Sequence, residues 1–141
     1  MPTQPPAWQT WLLRTLSALF PAAKALKIDA SAVSRDQTVV DDYVADPLVH
    51  HENIPARTVV SLFDEASAVL GRASEISLPT LLLHGEEDVL TSVPASRQFM
   101  ADLSATDKHI TVYPGMYHEL FNEPEKEDVI RTCLDWIATR L

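Results

Sequence analysis

Hydrophobic positions recur at helical spacing through the first half of the chain and gather into short strand-like runs in the second. Trp8, Trp11, Leu12, Thr15, Leu16, Leu19 and Phe20 fall on one face of a helix, at the 3.6-residue period of an amphipathic segment. Pro5 and Pro6 precede it and Pro21 follows it, positions where proline favours helix starts and stops. Lys24 to Asp36 lacks a period and reads as a loop. A second helix is expected from about Thr38 until the Asp46-Pro47 step breaks it. A third is expected from about Pro55 to Leu70, with Gly71 as its C-terminal cap. No convincing strand is expected before Ser77.

Beyond Ser77 the pattern changes. Leu78-Pro79-Thr80-Leu81-Leu82-Leu83-His84-Gly85 is a short apolar run bounded by proline and glycine, as in a strand buried on both faces. A helix is expected over Pro94 to Leu103 and a second strand over Lys108 to Tyr113, stopped by Pro114-Gly115. The last helix is expected from about Pro124 to Leu141, with Asn122 as N-cap and Glu123, Glu125, Glu127 and Asp128 enriching its first turn. Its core face would be Ile130, Cys133, Leu134, Ile137 and Leu141. Strand, helix, strand, helix implies an α/β unit with a parallel pair and a right-handed crossover. Ligands of such sheets bind beyond the carboxyl ends of the strands.

A chain of 141 residues, 46% hydrophobic and 22% charged, fits one ordinary domain with a buried core. There is no internal repeat and no low-complexity segment. The net charge of −9 argues against nucleic acid as a partner, since phosphates would repel it. The single cysteine, Cys133, excludes an intrachain disulfide, and a soluble cytoplasmic protein is expected. No apolar run approaches the ~18 residues of a membrane span, and MPTQPPAWQTW lacks the basic start and apolar stretch of a signal peptide.

Both strand ends carry chemistry. HGEEDVLTS follows the first strand and sets Asp88 three residues past Gly85; YPGMYHELFNE follows the second and sets His118 three residues past Gly115. The two lie one βαβ unit apart, roughly 30 residues, so adjacent parallel strands would bring them side by side. A buried carboxylate accepting from one imidazole nitrogen fixes the tautomer and stabilises the imidazolium formed when the other nitrogen takes a proton.

In these strings, LPTLLLHGEEDVLTS and YPGMYHELFNEPEKEDV with the closing CLDWI, the chain resembles the α/β-hydrolases, whose nucleophile, acid and histidine follow in that order. It is similar most of all to the monoacylglycerol lipase and lysophospholipase branch. SRDQTVVDDYVADPLVHH, at residues 34–51, resembles the cap of that branch. The resemblance runs from about Trp8 to Leu141. It implies a helical cap over 1–76 and a C-terminal strand-helix-strand-helix part of the hydrolase core over 77–141. It also implies hydrolysis of lipid-like carboxylic esters, with Asp88 and His118 as catalytic acid and base and no metal or organic cofactor. The chain departs from the family in having no G-x-S-x-G: its three glycines, Gly71, Gly85 and Gly115, flank no serine in that way. The upstream His-Gly oxyanion loop is absent too. The chain therefore reads as the C-terminal half of a hydrolase, inactive alone, whose open sheet edge invites self-association or pairing with the missing half. The alternative is a non-catalytic binding module whose cap holds an apolar ligand or a partner.

Other residues have plainer readings. His84 ends a strand and is expected to be structural, its ring bonded to nearby backbone. His50 and His51 are expected to be loop histidines, and Cys133 a small buried hydrophobe. The Trp8/Trp11 face reads either as packing over the site mouth or as a lid making transient contact with a membrane surface. The acidic group from Glu123 to Asp128 reads as helix N-terminal charge.

Overall fold

The computed structural model describes residues 6–141; Pro5, expected to flank the first helix, lies outside them. Among the described residues, five α-helices and four strands form two packed parts. In the first, α1 (Ala7–Leu19) is followed by β1 (Lys24–Leu26), α2 (Gln37–Ala45), β2 (Ile54–Pro55) and α3 (Ala56–Gly71). Helix α1 lies against α3, with Arg14 and Asp64 paired across their exposed sides. Asp36 caps α2 by accepting from the Thr38 amide at 2.9 Å. That bond satisfies one of the donors a helix start leaves free.

The second part contains β3 (Thr80–Gly85), α4 (Val93–Asp102), β4 (Lys108–Tyr113) and α5 (Lys126–Ala138). β3 and β4 pair in parallel, with Thr80 opposite Lys108 and Gly85 opposite Tyr113. Successive strand residues point to opposite faces, and the core divides accordingly. Leu82 and Ile110 pack against Ala73, Met100, Leu103 and Ala105. Leu83 and Tyr113 pack against Met116, Leu120 and Val129. Ser92 caps α4 and Pro94 occupies its first turn, where the missing amide costs nothing.

The structure corrects several local expectations. Lys24 to Asp36 is not wholly a loop: β1 pairs antiparallel with β2, and Ala30–Ala32 makes a 3-10 turn. These strands are too short to show a period, and β2 supplies its partner groups from a distant segment. Gly71 ends α3 instead of capping it; Arg72 takes the cap position. The left-handed conformation that favours a capping glycine occurs among the described residues only at Gly115, with φ of 72°. Asn122 is no N-cap, because it closes the 3-10 turn Leu120–Asn122 and α5 begins later. Glu123 is drawn inward before α5, which delays the start. The buried face of α5 is also rotated: Val129 is fully buried, whereas Leu134, Ile137 and Leu141 are exposed. Along α1, Trp8, Trp11, Leu12, Leu19 and Phe20 are exposed, and the buried residue is Ser17.

The rotated face of α5 is testable. Val129→Ala should destabilise the chain by roughly 2 kcal/mol, because a buried methyl pair is lost and a cavity remains. Leu134→Ala should stay within about 0.5 kcal/mol, as for other exposed positions. Urea unfolding followed by circular dichroism checks both; equal effects would contradict this face assignment.

Candidate active site

The two strand-exit loops are bonded to one another before any side chain is considered. The Glu86 amide donates to Tyr113 O at 2.9 Å and the Glu87 amide to Met116 O at 3.0 Å. Gly85 makes this approach possible: a Cβ there would collide with the carbonyl oxygens of Tyr117 and Met116. At Gly115 the second loop turns through a positive φ, which residues with a side chain rarely adopt. Parallel register and backbone cross-bonds thus set Asp88 beside His118.

Asp88 is buried. Its Oδ1 accepts from the amides of Leu90, at 2.7 Å, and Thr91, at 2.9 Å. Its Oδ2 accepts from the Thr91 hydroxyl at 2.5 Å and from His118 Nδ1 at 2.9 Å. Burial alone would push this carboxyl up, but the bonds from Thr91, His118 and Leu90 outweigh it and hold it below the ordinary carboxylate range. An ionised carboxylate can only accept, so His118 Nδ1 carries a proton, and in the neutral ring Nε2 keeps its lone pair. The His118 side chain keeps 38% of its exposure, against 3% for Asp88. The arrangement therefore offers a proton acceptor at an accessible surface, backed by a buried negative charge.

His84 is the residue that sequence reasoning undervalued. It does not bond backbone, as expected, but joins the same side-chain network. Its Nδ1 lies 2.8 Å from Ser96 Oγ, and its Nε2 lies 3.2 Å from Thr91 Oγ1 and 3.2 Å from Asp88 Oδ2. Thr91 gives its only hydroxyl proton to Asp88, so it must accept from His84 Nε2–H, and Nδ1 accepts from Ser96. The ring thus closes a chain from the start of α4 to the acid. A polar residue ending an apolar strand next to the acid loop was the available signal.

The remaining candidates lie elsewhere. Glu86 and Glu87 are exposed. His51 Nε2 bonds Asp46 O at 3.0 Å, and its ring meets Tyr43 edge-on. Cys133 is half-buried on α5. Among the described residues, no three His, Cys, Asp or Glu side chains gather where they could hold a metal ion.

A family model described as serine aminopeptidase, S33, matches residues 1–125. The chain belongs to this S33 hydrolase family. It is 40% identical over 128 residues to the monoacylglycerol lipase of Mycolicibacterium smegmatis, covering 91% of this chain and 46% of that protein. The crystal structure of the Paleococcus ferrophilus monoacylglycerol lipase superposes with a TM-score of 0.84 at 32% identity, over 96% of this chain and 53% of that one. A soluble variant of the Saccharomyces cerevisiae monoglyceride lipase, solved with a substrate analogue, gives 0.80 at 16% identity, over 96% and 50%; this likeness concerns the fold alone. The α/β-hydrolase fold and the monoacylglycerol lipase-like branch follow. This S33 chain spans about half the length of the relatives it matches.

The electrostatics of Asp88 predict a pH dependence. A carboxyl whose native pKa lies below its unfolded value of about 3.9 adds stability above that value and loses it as pH falls through the native pKa. The stability advantage of the native chain over Asp88→Asn should therefore be constant near neutrality. It should shrink below about pH 4, as read from denaturant unfolding at each pH. An advantage that grew on acidification would contradict the depressed carboxyl.

Proposed function

We propose that this chain carries the acid and the histidine of a serine-type ester hydrolase acting on lipid-like carboxylic esters such as monoacylglycerols or lysophospholipids. The observation that carries this is the 2.9 Å bond from His118 Nδ1 to the buried Asp88 at the carboxyl ends of two parallel strands. The relatives, monoacylglycerol lipases of Mycolicibacterium smegmatis and Paleococcus ferrophilus among them, support the substrate class. Residues 1–76 act as the cap and 77–141 as the C-terminal part of the core.

The nucleophilic serine is supplied from outside these 141 residues, since G-x-S-x-G does not occur in them. As its Oγ bonds the acyl carbon, its proton passes to His118 Nε2. The ester C–O bond then breaks, and the imidazolium returns that proton to the departing alkoxide. Water repeats the sequence on the acyl-enzyme. Asp88 holds the imidazole in the required tautomer and offsets its transient positive charge. The exposed Trp8, Trp11, Leu12, Leu19 and Phe20 favour transient contact of the cap with a lipid surface. No helix among the described residues is long and apolar enough to cross a membrane, and a cytoplasmic location fits the lone cysteine.

Alone, the chain should not turn over p-nitrophenyl esters above a His118→Ala control, because the serine and oxyanion donors are absent from it. Supplied with the N-terminal half of a close relative, fused or co-expressed, it should hydrolyse them. In that assembly Asp88→Asn should lower kcat by on the order of 10⁴, His118→Ala by at least as much, and Glu86→Gln or Glu87→Gln little. A restored enzyme tolerant of Asp88→Asn would show that the acid is elsewhere.

The sheet also predicts solution behaviour. β3 and β4 pair only with one another among the described residues, and such unpaired edges seek further strands. Light scattering should find self-association that the complementing half suppresses. A monodisperse monomer that melts cooperatively and binds no hydrophobic dye would count against it.

A further inference from the structure

Glu123 belongs to an acidic run that reads in sequence as helix N-terminal charge, yet its side chain is completely buried and lies outside α5. Both of its oxygens are engaged. Oε1 accepts from the Arg35 amide at 3.1 Å and from the Tyr117 amide at 3.1 Å. Oε2 accepts from Arg35 Nε at 2.5 Å. The other arm of the Arg35 guanidinium reaches Glu125. Beside this cluster, Ser34 Oγ donates to Asn122 O at 2.8 Å, and the Glu119 amide donates to Val33 O at 2.8 Å.

These bonds have a common target. Tyr117 and Glu119 are the two chain neighbours of His118, and each is tied to the 33–35 segment: one through Glu123, the other directly. Helix capping does not explain this, because Glu127 and Asp128 alone lie in the first turn of α5. Stability alone is a poor explanation too, since a buried ion pair is weak evidence for stability and its best-attested use is to specify one arrangement. A reacting imidazole must be held to about 0.5 Å of its productive position. The loop from Gly115 to Glu119 carries no regular secondary structure that would do so.

We infer that Glu123, clamped by Arg35, is a positioning residue for His118: its carboxylate fixes the Tyr117 amide and thereby the approach of the imidazole to Asp88. The inference rests on the reading of His118 as the general base only for its catalytic consequence. The geometric claim concerns this chain alone. The clamp also couples the segment leading into α2 to the histidine, so that residues 33–35 form part of the mould in which the site is cast.

The test uses nitrogen-15 NMR of the His118 ring in the 141-residue chain, with the Nδ1–H proton shared with Asp88 as the readout, and then kinetics in the complemented enzyme. Glu123→Ala should abolish that Nδ1–H signal while the β3 and β4 amide resonances persist. Glu123→Gln should weaken it, because the amide nitrogen would face Arg35 Nε–H donor to donor. Glu125→Gln, at an exposed arm, should leave it unchanged. In the complemented enzyme Glu123→Gln should lower kcat by on the order of 10²-fold with KM unchanged, as for a small misplacement of a reacting group. An unaltered His118 signal in folded Glu123→Ala or Glu123→Gln overturns the inference. If both fail to fold, Arg35→Lys, which keeps the charge but loses the Nε–H donor, carries the same readout, and unfolding of all three also overturns it. Inactivity of every complemented form, including the native sequence, would defeat the proposed function while the ring signal still decides the clamp.

Discussion

A buried carboxylate is tolerable only when its lone pairs are met, and the carboxylate of Asp88 organises the second half of this molecule on that condition. Two amides, one hydroxyl and one imidazole donate to it directly, and a second imidazole closes the network behind it. Each donor comes from an element that must be in place first. The Leu90 and Thr91 amides require the tight turn after β3, the Thr91 hydroxyl requires the approach to α4, and His118 requires the parallel neighbour β4. Removing any one would leave a charge in low dielectric without its compensation. The loops are therefore ordered by the acid as much as the acid is held by the loops.

Backbone geometry makes that network reachable. The cross-bonds from Glu86 and Glu87 to the opposite loop need two chains closer than side chains allow, and Gly85 supplies the gap. The positive φ at Gly115 then directs the second loop back toward the first. Two of the three glycines in the chain thus serve one juxtaposition. Mobility in this region would be limited by hydrogen bonds to buried groups together with the packing of Met116 and Leu120.

The apolar surface has a different logic. Each face of the two-stranded sheet is covered by its own small cluster, but most strand residues remain half-buried, and large side chains on α1 and α5 face outward. This S33 hydrolase chain spans about half of its relatives' length, and parallel sheets are ordinarily covered on both sides and partnered at both edges. The first part of the chain and the sheet still communicate, through Val33, Ser34 and Arg35 against the segment around the histidine loop.

Local chemistry made much of this legible in the sequence. Proline and glycine mark the ends of β3 and β4, the bounds of β4 agree with the apolar run, and α3 and α4 lie within about one residue of their periodic segments. The positions of Asp88 and His118 follow from the same punctuation, since a residue three places beyond a strand-ending glycine has few places to go. What sequence patterns left open depended on groups remote in the chain. The β1–β2 pair is too short to carry a period. The buried side of α5 is chosen by Met116 and Leu120, which lie outside it. His84 gains its role only once α4 brings Ser96 against it. Glu123 looks like any helix-start acid until Arg35, distant by 88 residues, reaches it. Sequence determined most of the longer elements and pointed to Asp88 and His118 as the candidate pair, because propensities and turns are short-range. Tertiary structure decided the partners of every buried charge, because a hydrogen bond is set by distance in space.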